Sequence, residues 1–560
     1  MAVDKGVAAR NRTAGVAEGP TLSDSVGPVP DTNLAKSAGA VLETVLGPQH
    51  KSLPPAAWGL TVRDYLATAP HLDDLQTPVL TMDRTALDLN RATMADWARA
   101  AGVRLAPHGK TTMSPQLWRE QLEAGAWAIT LATPWQAQIG RALGLTRIVL
   151  ANSLVDPTGL HWAATEIAND PTFELYSWVD GIDTVHEMER HLASAPEGVR
   201  LNVIVELGGP HGRTGARGLA AAHAVADAVH KSPRLRLAGV GGYEGALAHD
   251  RSPEALAAVR HYLDEVAILH QELAAAGRYD EFLGQRTGGE DSGESSSRDP
   301  DHRRSGSARG GASSGLRESA IGGRGGAGTG GLREAVVGAA HEDVPGGAVA
   351  AESRARSERK RGAGDADSRS TGPHRGRAAI VTAGGSAYPD LVVERLGGLA
   401  DEDGAHGVPT AVVLRSGAYL VHDDGFYSGI SPLAAGRSER PLRSAMHGWA
   451  RCVSRPEAEL ALLDAGKRDL PFDEGLPVPQ VLAGPASTVL PEGATVSALN
   501  DQHTFLRLPG GSEADVPVGS VVRLGLSHPC TAFDKWRLIP VIDDAEAERP
   551  RIVDFLPTYF

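Results

Sequence analysis

Lys110 is the first residue whose type and position point to covalent chemistry. It lies in the segment APHGKTT (106–112), at the end of the apolar run VRLAP (103–107). A lysine at the buried end of a strand can supply a neutral amine, which acts as a nucleophile and forms a Schiff base with an aldehyde. A solvated lysine in a loop is the alternative interpretation, so Lys110 needs support from other parts of the chain.

The segment TAGGS (382–386) could bind an anion such as a phosphate group. Gly384 and Gly385 allow backbone N–H groups to approach an anion closely, and Ser386 adds a hydroxyl, provided that a helix follows. Adjacent glycines are also common in tight turns, which is the alternative interpretation.

Arg213 and Tyr243 stand at the ends of two further apolar runs. Arg213, in the glycine-rich segment ELGGPHGRTG (206–215), could donate to a ring nitrogen or to a phosphate group, or it could be a surface arginine. The hydroxyl of Tyr243 needs a partner if it is buried, although packing explains a tyrosine here equally well.

His528 and Cys530, in SHPC (527–530), could bind one metal ion. Residues two apart in an extended segment project to the same side, and a nitrogen paired with a thiolate sulfur suits zinc. Taken alone, the H-x-C spacing is weak evidence. Two protein ligands leave a tetrahedral ion open, and His503 and Asp534 are candidates for a third ligand, unless they are ordinary polar residues.

Two other groups are predicted to have no part in the chemistry. Cys452 has no neighbouring residue at ligand spacing and is interpreted as structural. The stretch VHDDGFY (421–427) could be mistaken for a metal cluster, but a charged turn between strands is the preferred interpretation.

Eight short apolar runs must position these residues. They start about 20–35 residues apart, except across one glycine-rich stretch, and helix-like segments separate them, which predicts an α/β fold of the (β/α)8 TIM-like barrel type. In one such segment, Ser252 and Pro253 give a helix start and Gly277 gives a stop. The runs are 103–107, 127–132, 147–152, 173–179, 201–207, 235–243, 378–384 and 411–417.

The composition divides the chain of 560 residues into domains. Residues 284–376 hold 22 of the 66 glycines and no aromatic residue, which predicts a disordered insertion. Residues 1–55 are predicted to be a flexible N-terminal segment and 56–417 to be the barrel that carries the insertion. Frequent Gly and Pro among short alternating runs predict a β-rich domain at 418–560.

Charge and hydropathy exclude several classes of partner. A net charge of −14 argues against nucleic acid as the main partner, and no apolar run has the length of a membrane span. No secretory signal is evident at the start and the two cysteines cannot form a disulfide framework, so we expect a cytoplasmic protein.

Six motifs, taken in order, resemble the D-serine dehydratase and D-threonine aldolase family. They are PHGKT (107–111), GRTG (212–215), GGYEG (241–245), TAGGS (382–386), RSGAY (415–419) and SHPC (527–530). The resemblance implies pyridoxal-phosphate (PLP) enzymes with the fold of alanine racemase, a barrel followed by a β domain. It also implies a homodimer, because the family builds its site across two chains.

The resemblance assigns a role to each candidate residue. Lys110 would hold PLP covalently, while Arg213 and Tyr243 would address the pyridine ring and its nitrogen. His528 and Cys530 would bind zinc. The residues around the phosphate would be Thr382, Gly384, Gly385, Ser386 and Gly417.

The branch of the family is predicted from the metal pair. The dehydratases similarly use His and Cys, whereas D-threonine aldolases have His and Asp at these places. Cys530 therefore favours a PLP- and zinc-dependent dehydratase that converts a β-hydroxy D-amino acid, D-serine before others, to a 2-oxo acid such as pyruvate and ammonia. The surroundings of Tyr243 (YEGALAHD) depart from the better-known D-serine enzymes, which leaves another hydroxy amino acid open as the substrate.

Three alternatives remain at this stage. One is retro-aldol cleavage of D-threonine to glycine and acetaldehyde. Another is an amino-acid racemase, which needs a second base that the sequence does not reveal. The third is a PLP-binding protein without catalysis, which the β domain with its SHPC motif disfavours.

Overall fold

The fold is seen in a computed structural model that describes part of the chain. The described residues are 36, 39–210, 212–279, 378–401, 405–483, 488–510 and 515–560.

The predicted insertion at 284–376 and residues 1–35 of the predicted flexible segment lie outside this part. Further along that segment, however, Val41, Leu46 and Leu53 are buried in a small core. The prediction of flexibility is therefore wrong for this stretch, because its apolar side chains have a surface to pack against that the local sequence does not reveal.

The described residues form nineteen strands, β1–β19. Their bounds are Val79–Asp83, Arg104–Leu105, Ile129–Leu131, Arg147–Ser153, Glu174–Val179, Leu201–Gly208, Ala216–Arg217, Leu235–Gly242, Ala379–Ala383, Thr410–Leu414, Met446–Glu457, Leu460–Leu463, Val478–Leu482, Thr488–Val489, Thr495–Leu499, Thr504–Arg507, Val521–Gly525, Leu538–Ile542 and Ile552–Pro557.

The helices between and beside these strands have the following bounds: Val62–Ala67, Arg84–Ala100, Pro115–Glu123, Pro134–Ala142, Pro157–Asn169, Ile182–Leu192, Leu219–Lys231, Pro253–Ala275, Pro389–Leu396, Phe426–Ile430 and Cys530–Phe533. The predicted helix stop and start after the sixth run are confirmed. Ser252 accepts a hydrogen bond from the N–H of Ala255 at 3.3 Å, and Gly277 has a φ of 66°.

The eight predicted apolar runs become one curled parallel sheet, so the barrel prediction is confirmed. The strand order is β2-β10-β9-β8-β6-β5-β4-β3. A parallel bridge between His108 and Thr130 links the two edges of this order. The carboxyl ends of the strands, where the candidate residues lie, therefore meet around one opening.

A second, mostly antiparallel sheet follows in sequence, as predicted, and it also recruits a strand from the start of the chain. Its order is β14-β13-β17-β11-β1-β18-β19; β12 pairs with β11 and with β16, and β16 also pairs with β15. The central β1 pairs with β11 on one side and β18 on the other. The domain boundaries at 417 and 418 remain predictions.

The stretch VHDDGFY (421–427), predicted as a charged turn between strands, leads into a short helix. Part of YLVHDDGFY forms the short helix Phe426–Ile430, and His422, in the turn before it, is buried with a φ of 51°. Among the described helices, none is both long and apolar enough to cross a membrane.

Candidate active site

Lys110 lies immediately after the first barrel strand, in the short 3-10 helix Gly109–Thr111. Nε1 of Trp118 donates to the carbonyl of Gly109 at 3.1 Å. A Cβ atom at position 109 would lie 2.5 Å from Cγ2 of Ile129. The glycine therefore allows the turn that carries Lys110 to sit directly on β3.

Three cations surround His108, the residue two before Lys110. Burial lowers the pKa of His108 well below its ordinary value, and the positive charges of Lys110, Arg415 and Arg213 lower it further. The structure thus brings Lys110 and Arg213 together and adds Arg415. Three positive charges at one opening favour the binding of an anionic group.

Arg415 was named in the sequence only as part of a motif, and the structure gives it a definite place. Its buried guanidinium donates to Oγ1 of Thr382 and to the carbonyl of Gly242, at 2.6 Å in each case. Burial lowers the pKa of Arg415, while the negative charge of Glu244 raises it. The Thr382 hydroxyl is therefore held by Arg415.

The two glycine N–H groups that we assigned to a phosphate contact a side chain of the protein instead. Gly384 and Gly385 donate to the carboxylate of Glu244 at 3.0 and 2.7 Å. Gly384 has a φ of 101°, a conformation that favours glycine. Glu244, which is fully buried, was missed because the sequence gives no reason to place it here.

Ser386, in the loop after β9, contacts Gly417, in the loop after β10. The Ser386 hydroxyl accepts hydrogen bonds from the N–H groups of Gly417 and Ala418 at 3.2 and 3.0 Å. A Cβ atom at Gly417 would lie 2.6 Å from Cβ of His108. The residues predicted around the phosphate are thus neighbours, next to the turn that carries Lys110.

Arg213 stacks on Tyr243, with its guanidinium carbon 5.2 Å from the ring centroid. The hydroxyl of Tyr262 accepts a hydrogen bond from the N–H of Tyr243 at 3.0 Å, which fixes the backbone at Tyr243. Burial raises the pKa of Tyr243, and the charge of Glu244 raises it further. Arg213 and Tyr243, the two residues predicted to contact the pyridine ring, therefore lie on the same side of the opening.

The metal pair reaches the same site from the second sheet. Sγ of Cys530 lies 3.5 Å from Oγ1 of Thr111, the residue after Lys110. The prediction of an extended SHPC segment is wrong: His528 has a φ of 57°, and Cys530 begins a short helix after Pro529. Proline is favoured at helix starts, a signal that our interpretation neglected.

The two side chains nevertheless interact. A hydrogen bond with Cys530 is the main cause that raises the pKa of His528, to about 9. Burial alone would raise the pKa of Cys530, but hydrogen bonds with His528 and Thr111 and the positive charge of Lys110 lower it below its ordinary value. The thiolate, which is the form that binds metals, is thereby favoured.

Two aspartates that the sequence did not single out hold His528. Oδ2 of Asp473 lies 2.5 Å from Nδ1 of the ring, and Oδ2 of the buried Asp423 accepts the backbone N–H at 3.1 Å. Of the two candidates for a third ligand, His503 is exposed before β16, and Asp534 directly follows the helix Cys530–Phe533 and lies 3.5 Å from Lys535. Their part in the metal site remains a prediction.

Among the described residues, those at this site fit both groups that the resemblance implies, PLP and zinc. Three cations, of which Lys110 offers an amine and Arg213 stacks on a tyrosine ring, suit an aldehyde cofactor that carries a phosphate. No cluster of three or more His, Cys, Asp or Glu residues able to hold a metal occurs among the described residues. His528 and Cys530 would thus provide two ligands, with the remaining positions open.

Comparison with known proteins shows what this chain is similar to. The model of the putative serine dehydratase domain matches residues 445–542. A D-threonine aldolase from Arthrobacter sp. is 22% identical over 85% of this chain and 91% of its own length. The chain is similar to proteins of the D-serine dehydratase and D-threonine aldolase family. A 3-hydroxy-D-aspartate aldolase from Paracoccus denitrificans is 26% identical, over 36% of this chain and 54% of the relative.

Solved structures share the fold of this chain. D-threonine aldolase from Filomicrobium marinum has a TM-score of 0.56 at 20% identity, and the match covers 87% of this chain and 96% of that one. D-threo-3-hydroxyaspartate dehydratase from Delftia sp. has a TM-score of 0.56 at 18% identity, covering 87% and 99%. Both the barrel and the second sheet are therefore features of related folds.

Proposed function

We propose that this chain is a PLP- and zinc-dependent lyase that removes water from a β-hydroxy D-amino acid, with D-serine as the first candidate. The observation that carries the proposal is the 3.5 Å distance between Sγ of Cys530 and Oγ1 of Thr111. It brings the H-x-C pair of the second sheet to the lysine of the barrel. D-Serine would yield pyruvate and ammonia, with one water lost and one taken up.

Different residues of the chain would act at the α-carbon and at the β-hydroxyl of the substrate. When bound, PLP supplies an electron sink at the α-carbon and zinc supplies a Lewis acid for the β-hydroxyl. Lys110 would hold the cofactor and accept the α-proton, while Arg213 would donate to the pyridine nitrogen. Arg415 adds positive charge beneath the site, and His528 and Cys530 would hold the metal.

The relatives support this class of reaction and the use of a metal. Among the structural neighbours is a D-threo-3-hydroxyaspartate dehydratase, and a cysteine-to-alanine mutant of that enzyme is described as metal-free. We extend the proposal to a homodimer, since the family resemblance implies a site built across two chains.

The test is turnover of D-serine, D-threonine and D-threo-3-hydroxyaspartate by the purified full chain with PLP, with the L-enantiomers as controls. We expect equal amounts of 2-oxo acid and ammonia from a D-substrate, loss of the product with a chelator and recovery with zinc. Racemisation of the substrate, or no turnover of any of the three by a PLP-loaded protein, would contradict the proposal.

Retro-aldol cleavage is the second candidate function. Several of the relatives carry the name of an aldolase, for D-threonine or for 3-hydroxy-D-aspartate. Glycine and acetaldehyde from D-threonine would establish it in place of dehydration. Cys530, where the aldolases are expected to have aspartate, favours dehydration.

A further inference from the structure

Asp473 uses both of its carboxylate oxygens beside the metal pair. Oδ2 accepts the N–H at Nδ1 of His528 at 2.5 Å, and Oδ1 accepts the hydroxyl of Thr531 at 2.6 Å. Two directed contacts on one carboxylate leave it a single orientation. The ring of His528 is therefore held at a fixed angle.

The loop that carries Asp473 is itself anchored next to the helix that starts at Cys530. The ring of Phe472 lies 5.3 Å from the ammonium of Lys467 and 6.0 Å from that of Lys535. Nε1 of Trp536 donates to the carbonyl of Asp469 at 2.9 Å. Asp473 is consequently held by the same segment that carries the metal pair.

A hydrogen bond at one nitrogen of an imidazole decides which form the other nitrogen takes. With its proton at Nδ1 directed to Asp473, a neutral His528 presents the lone pair of Nε2. Because Asp473 contacts Nδ1, Nε2 is the ring nitrogen that remains available for a metal ion. Carboxylates that hold a metal-binding histidine in this way commonly contribute a factor of about 10–100 to metal affinity.

We infer that Asp473 is the positioning residue of the metal site, holding His528 so that Nε2 and Sγ of Cys530 bind the ion together. The inference rests on the proposed function, which places zinc on this pair. Asp473 itself would not be a ligand, because it occupies Nδ1, on the other side of the ring from Nε2.

The test compares zinc affinity of the PLP-loaded full chain with that of Asp473→Ala, measured by competition with a chromogenic chelator. We expect affinity to fall about 10–100-fold and the thermal midpoint to stay near that of wild type, since 40% of the Asp473 side chain is exposed. Asp73→Ala is the control, because it removes the same charge at a side chain that is 61% exposed and should leave affinity within about twofold.

Three outcomes would overturn the inference. One is an unchanged affinity in Asp473→Ala, and another is an equal loss in Asp73→Ala, which would reduce the effect to charge. The third is a further fall in affinity when Asp473→Ala is added to His528→Ala, because a residue that acts through the ring of His528 has no effect once that ring is removed. Failure of the proposed site is distinguished by His528→Ala: if wild type and this variant bind zinc equally, the metal lies elsewhere.

Discussion

The thiol of Cys530, in the second sheet's domain, lies 3.5 Å from the hydroxyl of Thr111, in the barrel. These residues are 419 positions apart in the chain and follow strands of different sheets, β2 and β17. The contact means that the two proposed functions, covalent attachment of a cofactor at Lys110 and metal binding at Cys530, would share one site while resting on separate elements.

The first prediction is that these two functions can be removed separately. Lys110→Ala should abolish the visible absorbance of bound PLP and lower turnover by about 10³-fold or more, yet retain zinc. Cys530→Ala should lose zinc and turnover but keep the visible band. Absorption spectra and zinc content of the two proteins check this. Loss of the visible band in Cys530→Ala at an unchanged fold would contradict the separation.

The second prediction concerns Glu244, which accepts the N–H groups of Gly384 and Gly385. Glu244→Gln removes the charge and one acceptor oxygen, so the loop should lose its fixed geometry and bind PLP about tenfold more weakly or worse. A PLP titration followed by absorbance measures this. Glu254→Gln, at an exposed position, is the control. Tighter PLP binding in Glu244→Gln would show instead that the carboxylate competes with the phosphate.

More features of the fold than of the site could be predicted from the sequence. Apolar runs of strand length report burial directly, so all eight barrel strands and the helix after Ser252 follow from local patterns. The contacts of Glu244, Asp423 and Asp473 do not, because each depends on a residue more than fifty positions away. Local spacing could name His528 and Cys530, but it could not give the left-handed backbone of His528 or the carboxylate at its ring.

The third prediction tests how Asp423 supports that backbone. Its Oδ1 accepts N–H groups at the start of the helix Phe426–Ile430, including that of Tyr427 at 2.8 Å, while Oδ2 accepts the N–H of His528. Asp423→Asn places an amide NH₂ against one of these donors. We expect a loss of about 1–3 kcal/mol in the free energy of unfolding, together with weaker zinc binding.

Urea unfolding and a zinc titration of the same preparation check both expectations for Asp423→Asn. Asp183→Asn, an exposed aspartate in the first turn of another helix, should change neither quantity. If Asp423→Asn were destabilised but bound zinc with wild-type affinity, Asp423 would stabilise the helix Phe426–Ile430 without influencing the metal site. That result would contradict the link to His528.

The fourth prediction is a pH dependence of stability that arises at His270. Nε2 donates to Oγ1 of Thr410 at 3.1 Å, and that hydroxyl donates to the carbonyl of Val408, so the buried ring is neutral. Burial lowers its pKa from 6.5 to about 4. Between pH 6.5 and about pH 4, His270 is therefore protonated in the unfolded chain but neutral in the folded chain.

The free energy of unfolding should accordingly fall as the pH falls through this window, by at most about 3 kcal/mol from this residue. His270→Gln keeps a hydrogen-bonding side chain that does not titrate, so its stability should fall less over the same window. Urea unfolding at about pH 7 and about pH 5 measures the difference. Parallel pH profiles for wild type and variant would contradict the assignment.

The fifth prediction uses two glycines that differ in their surroundings. A Cβ atom at Gly417 would lie 2.6 Å from Cβ and 2.8 Å from the backbone nitrogen of His108, whereas one at Gly398 would meet nothing within 4 Å. Gly417→Ala should cost about 1–3 kcal/mol of stability, and Gly398→Ala should stay within about 0.5 kcal/mol.

Gly417→Ala should also lower turnover by more than its stability loss explains. The added methyl group pushes the His108 backbone away from the loop of Gly417, and Lys110 follows two residues later in the same turn. The lysine would then move relative to the N–H groups near Ser386, and reacting groups displaced by about 1 Å commonly lose about 10²-fold in rate. If the folded variant turned over its substrate at the wild-type rate, the spacing between these two loops would not control the chemistry.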